Sequence, residues 1–221
     1  MSERMLVIAH LITADRETRD KALDMLAEIS KDAERETGTH KYAVLIPRED
    51  DGKTFYVTEE YDDKAAFDVH MSSQQVKDMG AWLQSSGVLH PSETGALHML
   101  QYLPGMRFTR DEILQQADPH VLFAELDYVP GGVETATPYW QAVVDTGRDR
   151  EVGTLHYGIA RDLEKEDRLV AFEVYESPEY LKDVHVPSEA IQNSIANTKH
   201  LRTGLKHHAL KKVGGFLHKL D

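Results

Sequence analysis

Glu36-Thr37-Gly38-Thr39-His40-Lys41-Tyr42 and Glu151-Val152-Gly153-Thr154-Leu155-His156-Tyr157 fit one pattern, Glu-x-Gly-Thr-x-x-Tyr, at an offset of 115 residues (36 to 151). A second echo follows each copy. Glu59-Glu60-Tyr61 precedes His70, and Glu173-Val174-Tyr175 precedes His185, with the histidines again 115 apart. In a chain of 221 residues, a period near half the length means one supersecondary unit built twice.

Working outward, the first copy reads β-α-β-β-α-β. Met5 to Thr13 is an apolar, β-branched run that predicts a strand. Asp15 offers an N-cap, and Leu23, Leu26, Ile29 and Ala33 give one face of a helix ending near Glu36, with Gly38 as a left-handed terminator. His40 to Pro47 and Thr54 to Tyr61 are strands around an Asp51-Gly52 hairpin turn. Asp62 to His70 reads as a connector. Ser72-x-x-Gln75 resembles a capping box for a helix carrying Val76, Met79 and Leu83, and Gly95 to Leu103 is a fourth strand.

Thr109-x-x-Glu112 suggests a short capped helix reaching about Ala117. The second copy repeats the order: a strand over His120 to Val129, and a helix from Val133 with Pro138 tolerated near its first turn. A hairpin over Gly153–Arg161 and Arg168–Tyr175 comes next, then a helix opened by Pro187-Ser188, and a strand from Gly204 to Val213. The expected domains are 1–105 and 119–221, joined by a linker over 106–118. The β-α-β-β-α-β order is the ferredoxin-like unit, whose helices cover one sheet face and leave the other bare. Two units in one chain can cover each other. The expected fold class is α+β: two ferredoxin-like repeats packed sheet to sheet as an intramolecular dimeric α+β barrel, a pseudo-dimer within one chain. Further self-association into a homodimer is left open.

Composition narrows the function. A net charge of −13 disfavours nucleic acid and anionic membrane surfaces, which need clustered Lys and Arg. The absence of cysteine removes disulfides, thiolate metal sites and cysteine nucleophiles. The only early apolar run, Met5 to Ile12, is too short for a signal peptide or a membrane span, so a cytoplasmic protein is expected. There is no His-x-x-His pair, phosphate loop or Gly-x-Ser-x-Gly, and no metal or other cofactor is expected. The tail, Lys206 to Lys219, reads as a solvated strand end packing Phe216 and Leu217.

Glu-x-Gly-Thr-x-x-Tyr after a helix, then Glu-x-aromatic at a strand end, then His nine or ten residues on, resembles the antibiotic biosynthesis monooxygenase family. The resemblance spans roughly Met5 to Leu103 and His120 to Phe216. It implies a dimeric α+β barrel, and an activity among cofactor-independent oxygenases of anthrones and quinols, haem-degrading enzymes and members of other roles. The sequence departs at the aromatic, often Trp in the family and here Tyr61 and Tyr175. It also lacks the first-strand Asn of haem degraders.

Period-two alternation puts Phe55, Val57, Glu59 and Tyr61 on one strand face, and Leu169, Ala171, Glu173 and Tyr175 on another. A carboxylate on an apolar face is costly unless it is paired, hydrogen-bonded or wet. Glu59 and Glu173 are therefore either carboxylates able to share a proton or structural hydrogen-bond acceptors. His70 and His185, expected just before a helix, suit a general base, and Tyr61 and Tyr175 a hydrogen-bond donor. The structural alternative is that each histidine caps the following helix. Trp82, Trp140 and Met79 read as core, with the lining of a pocket as the alternative. The expected activity is a cofactor-independent monooxygenase, an oxidoreductase using O2 on an electron-rich aromatic substrate (anthrone, polyketide or quinol). The alternatives are a haem-binding or haem-degrading protein, and a non-oxygenase binding, cyclase or isomerase barrel.

Overall fold

The structure, a computed structural model, describes residues 4–85, 87–90 and 97–220. Its elements are β1 (Met5–Ile12), α1 (Arg16–Ala33), β2 (Thr39–Pro47), β3 (Thr54–Tyr61), α2 (Lys64–Met71), α3 (Gln74–Leu83) and β4 (Leu97–Thr109). A 3-10 turn (Asp111–Gln115) precedes β5 (His120–Tyr128), α4 (Gly132–Arg150), β6 (Thr154–Asp162) and β7 (Arg168–Tyr175). Then come α5 (Pro178–Tyr180), a π turn (Leu181–His185), α6 (Glu189–Thr198), a 3-10 turn (Lys199–Leu201) and β8 (Arg202–Phe216). Hydrogen-bonded neighbours run β1-β3-β2-β8-β5-β7-β6-β4 and close into a barrel, the α+β fold class expected of two ferredoxin-like repeats.

Two compact units make up the chain: Met1–Met99 with Lys211–Asp221, and Leu100–Leu210. In the first, β3 lies between β1 and β2, pairing Val7 with Glu59 and Tyr42 with Glu59. Helices α1 and α3 bury Ala22, Leu26, Ile29, Ala33 and Met79 against Tyr42, Val44, Phe55 and Val57. Asp15 caps α1 by accepting from the Thr18 N–H at 2.8 Å, and Gly52 takes φ +74° in the hairpin. The chain's last residues belong to this unit. Phe216 packs on its core, and Lys219 Nζ donates to the carbonyl of Glu36 at 2.7 Å. Gly215, at φ +66°, sits where a Cβ would meet the Tyr42 carbonyl oxygen at 1.9 Å.

In the second unit β7 lies between β5 and β6, β8 pairs with β5 through Leu210, and β4 pairs with β6 from Leu100 to Thr109. Helix α4 buries Val133, Ala136, Val143 and Val144 against Leu126, Ile159, Leu169 and Ala171.

Several local expectations change. Asp62 to His70 carries a full helix: Asp63 accepts from the Ala66 N–H and starts α2, so His70 lies in its last turn and just before α3. Ser73, not Ser72, caps α3, accepting from the Val76 N–H. Thr109 makes no cap. It belongs to β4, and its hydroxyl meets His156 Nδ1 at 2.7 Å. Pro138 sits inside α4, beyond the first turn, because apolar residues on both sides hold the helix together there. The expected start of the fourth strand, Gly95, lies outside the described residues.

Gly38 and Gly153 are the most instructive change. Neither has a positive φ. They are needed for close approach: a Cβ at Gly38 would lie 2.6 Å from Ala66 Cβ, and one at Gly153 would lie 2.5 Å from the Tyr180 ring. Each lets the segment after the third strand of its repeat press onto the start of the second.

Candidate active site

The shared motif assembles a cluster under that segment in each repeat. In the second unit, His185 Nδ1 lies 2.7 Å from Glu151 Oε2, and the Thr154 hydroxyl donates to the same carboxylate at 2.9 Å. The His185 ring packs against Tyr157 at 5.3 Å and Tyr175 at 5.1 Å between centroids. The Tyr175 hydroxyl donates to Glu173 Oε2 at 2.7 Å. The first unit repeats this. His70 Nδ1 is 3.0 Å from Glu36 Oε2, Thr39 donates to Glu36 at 2.7 Å, and Tyr61 donates to Glu59 at 3.0 Å. Tyr42 and Tyr61 flank His70 at 5.4 and 5.7 Å.

Strand irregularity makes the cluster possible. Thr39 and Tyr42 are three residues apart and would point to opposite faces of a regular strand. A register shift between Thr39 and Lys41 sets Thr39 opposite Tyr61 and Tyr42 opposite Glu59, so both share the face of Glu59 and Tyr61. The same shift between Thr154 and His156 sets Thr154 opposite Tyr175 and Tyr157 opposite Glu173. The Thr-x-x-Tyr spacing of the motif is thus the spacing a β-bulge demands.

The histidine is carried differently in the two copies. Nine residues separate Tyr61 from His70, which lies in the last turn of a regular α-helix. Ten separate Tyr175 from His185, and the extra residue is taken up by the π turn Leu181–His185. Both rings are almost fully enclosed, at 2% exposure for His70 and 3% for His185.

Burial opposes ionisation of Glu151, but the hydrogen bonds and charge of His185 and the Thr154 hydroxyl outweigh it, and the carboxyl is held below its usual range. An ionised Glu151 accepts from Nδ1–H and leaves the opposite ring nitrogen as the basic one. Burial and the nearby Glu173 push the Tyr157 and Tyr175 hydroxyls well up, so both stay protonated. In the first unit burial raises Glu59, with the charge of His70 and the Tyr61 hydroxyl acting against it.

Sequence reasoning placed Glu59, Tyr61, His70, Glu173, Tyr175 and His185, and the structure brings each trio together within its own repeat. It missed Glu36, Thr39 and Tyr42 and their counterparts Glu151, Thr154 and Tyr157, which served there only to mark the repeat. The signal was available: Glu36 to His70 and Glu151 to His185 are both 34 residues.

A cavity of about 280 Å3 opens in the second unit. Leu122, Ala124, Leu126 and Ala171 form its sheet wall and Trp140, Leu181, Ile191 and Ile195 its helix wall, with Tyr157, Glu173 and His185 among its lining. Trp140, expected as core, therefore serves both core and cavity, and its Nε1 donates to the Tyr128 hydroxyl at 2.8 Å. Met79 and Trp82 of the first unit pack with the core. The N-caps Ser73 and Ser188 are equivalent, 115 residues apart, and by that offset Met79 occupies the place of Ser194. Among the described residues no group of three His, Asp or Glu side chains is placed to hold a metal ion, and no helix is long and apolar enough to cross a membrane.

Fold and site together define a tandem α+β barrel protein with a duplicated, carboxylate-held histidine. The family model for the antibiotic biosynthesis monooxygenase (ABM) domain matches residues 5–82, within the first repeat. No curated protein matches the sequence. Among solved structures, a protein of Lactobacillus acidophilus NCFM provisionally described as a monooxygenase superposes with a TM-score of 0.76 at 15% identity, covering 99% of this chain and 100% of its own. One from Fusobacterium nucleatum subsp. nucleatum, described the same way, gives 0.76 at 19%, covering 100% and 99%. A protein described as anthrone oxidase-like gives 0.64 at 13%, covering 96% and 94%. At these identities the likeness speaks for the fold, which is shared along the whole chain.

Proposed function

We propose that this protein is a cofactor-independent monooxygenase that uses O2 to oxidise an electron-rich aromatic of anthrone, polyketide or quinol type, and that the reaction takes place in the second repeat. The observation that carries the reading is the placement of His185: tied to a carboxylate through one ring nitrogen, it lines an apolar cavity with Glu173 and Tyr157. The match to the monooxygenase family supports the same class.

For an anthrone, the chemistry needs a base and a dry, aromatic-lined space. His185 takes a proton from the acidic CH2, and Glu151 stabilises the imidazolium that forms. The substrate anion gives one electron to O2, and the carbon radical and superoxide combine to form a C–O bond. The imidazolium returns its proton to the distal peroxide oxygen. Loss of the remaining C–H proton and of hydroxide then yields the carbonyl. One oxygen atom enters the product, the other leaves as water, and the substrate supplies both reducing equivalents. The protonated Tyr157 hydroxyl is the donor in the cavity wall toward which the developing oxyanion is oriented. The cavity is at the small end of ligand pockets, which run from about 300 to 1,000 Å3. It suits a few fused rings better than a porphyrin.

The test is oxygen consumption by the purified protein with anthrones and hydroquinones, together with a hemin titration. Uptake of one O2 per substrate, suppressed by His185→Ala, is the expected result. Absence of uptake, alongside a Soret shift on adding hemin, would replace this reading with haem binding.

A further inference from the structure

The catalytic cluster does not use every polar group that lines the cavity. Ser194, on α6, is 0% exposed, and its hydroxyl has no hydrogen-bond partner. Arg202, at the start of β8, lies over the Trp140 ring at 5.5 Å from its centroid, and one terminal nitrogen donates to Thr198 Oγ1 at 3.4 Å. Its Nε is buried and without an acceptor. Among the described residues no carboxylate pairs with this guanidinium. Arg202 as a whole is half-buried, unlike the buried Arg168 of the same unit, which pairs with Glu125 and Asp127, each at 2.6 Å. Ser194 and Arg202 line the same cavity as His185.

We propose that Ser194 and Arg202 form a subsite for a carboxylate on the aromatic substrate. The inference rests on the reading of this cavity as the substrate site. Beside the bonds Arg202 makes to Thr198 and Tyr128, a buried Ser194 hydroxyl and a buried Arg202 Nε–H without partners are costly, and an anionic oxygen ligand satisfies both. The planar fork of arginine matches a carboxylate, and the donors left over on Arg202 and Ser194 are what such a ligand requires. Trp140 and Thr198 already hold the guanidinium, so binding loses little further side-chain freedom. The first repeat has no counterpart to the serine: Met79 stands there, 5% exposed, in the hydrophobic core. Ser194, and with it the subsite, therefore belongs to the second repeat.

The experiment is calorimetric binding of 2-naphthoate and of its uncharged amide to the full chain at neutral pH. Wild type should bind the carboxylate roughly 10- to 100-fold more tightly than the amide, the value of a charge-assisted pair. Arg202→Met should bring the two ligands to equal affinity. Ser194→Ala should weaken the carboxylate about 3- to 10-fold and leave the amide unchanged. Arg202→Lys, which keeps the charge but not the fork, should fall between wild type and Arg202→Met. It carries the test if Arg202→Met does not fold. No binding of naphthoate at millimolar concentration, equal binding of both ligands to wild type, or a preference that survives undiminished in Arg202→Met or Arg202→Lys would overturn the subsite. The readout involves no oxygen chemistry. A clear carboxylate preference without oxygen uptake overturns the oxygenase reading alone, and oxygen uptake without the preference overturns the subsite alone.

Discussion

Glu151 and His185, 34 residues apart in sequence, meet at 2.7 Å between Oε2 and Nδ1, and the first repeat duplicates the pair as Glu36 and His70 at 3.0 Å. The same dyad therefore stands in two settings, one lining a cavity and one beside a packed core. That difference makes the two histidines separable by mutation.

His185→Ala should lower kcat for oxygen uptake by about 10²- to 10⁴-fold, the usual worth of a positioned base. His70→Ala should leave kcat within about threefold, because the first-repeat counterpart of Ser194 is a core methionine. Glu151→Gln should reduce kcat by at least about tenfold with little change in KM, since an amide orients the ring without stabilising its positive form. Steady-state kinetics on the three variants checks this, and equal losses for both histidines would contradict it.

Glu151 and Glu59 have opposite pH signatures. Glu151 is held below its ordinary range, so its contribution to stability is present above the unfolded-state value and is lost as pH falls through the lower folded value. Glu59 is raised, so its contribution is present below the unfolded value and is lost as pH rises through the folded one. Thermal melts should therefore show Glu59→Gln gaining Tm relative to wild type at pH 8, with the gain shrinking at pH 4. Glu151→Gln should lose Tm at pH 8, and the loss should shrink only in strong acid.

Exchanging the residues at one equivalent position should move the cavity. Ser194→Met, copying the first repeat, should weaken aromatic ligands at least about tenfold while changing stability by less than about 2 kcal/mol, because the side chain enters existing space. Met79→Ser should cost about 2–5 kcal/mol, since it empties a packed site. Calorimetric titration and urea unfolding read the two effects separately.

Gly153 offers a clean discrimination between two roles for a motif glycine. Its φ is not positive, so the requirement is space beside the Tyr180 ring. Gly153→Ala should destabilise by about 1–3 kcal/mol, and Gly153→Asn should be no better than alanine. A left-handed turn glycine would show the reverse order, with asparagine the milder change. Urea unfolding of both variants decides between them.

The doubling and the strand order were legible because a spacing of 115 residues survives in residue types that chemistry rarely interchanges: Glu, Gly, Thr, Tyr and His. The site was half legible. Period-two alternation put Glu59 with Tyr61, and Glu173 with Tyr175, on the correct face. It could not place Thr39 with Tyr42, because the bulge shifts strand parity, and a bulge leaves no signature in hydrophobic pattern. The dyad was hidden for a related reason. Glu36 lies at a helix end, where a charged residue has an ordinary explanation, and its partner is set by how closely α2 approaches over Gly38. The extra residue between Tyr175 and His185 was visible as a ten-residue step, but only a helix geometry shows that it becomes a π turn. Unpartnered atoms such as Ser194 Oγ have no sequence signal at all.

The assignment of residues 211–221 to the unit that begins at the N-terminus has a consequence for how the protein is made. On the ribosome, Met1–Met99 emerges long before the segment that supplies Gly215 against Tyr42, Phe216 on the core and Lys219 at the Glu36 carbonyl. Of the two units, the one whose strands are synthesised earlier is completed later. Its closing contacts span nearly the whole chain, the kind of long sequence separation that slows folding and prolongs exposure of apolar surface. The second unit, continuous from Leu100 to Leu210, has all its residues before the first can finish.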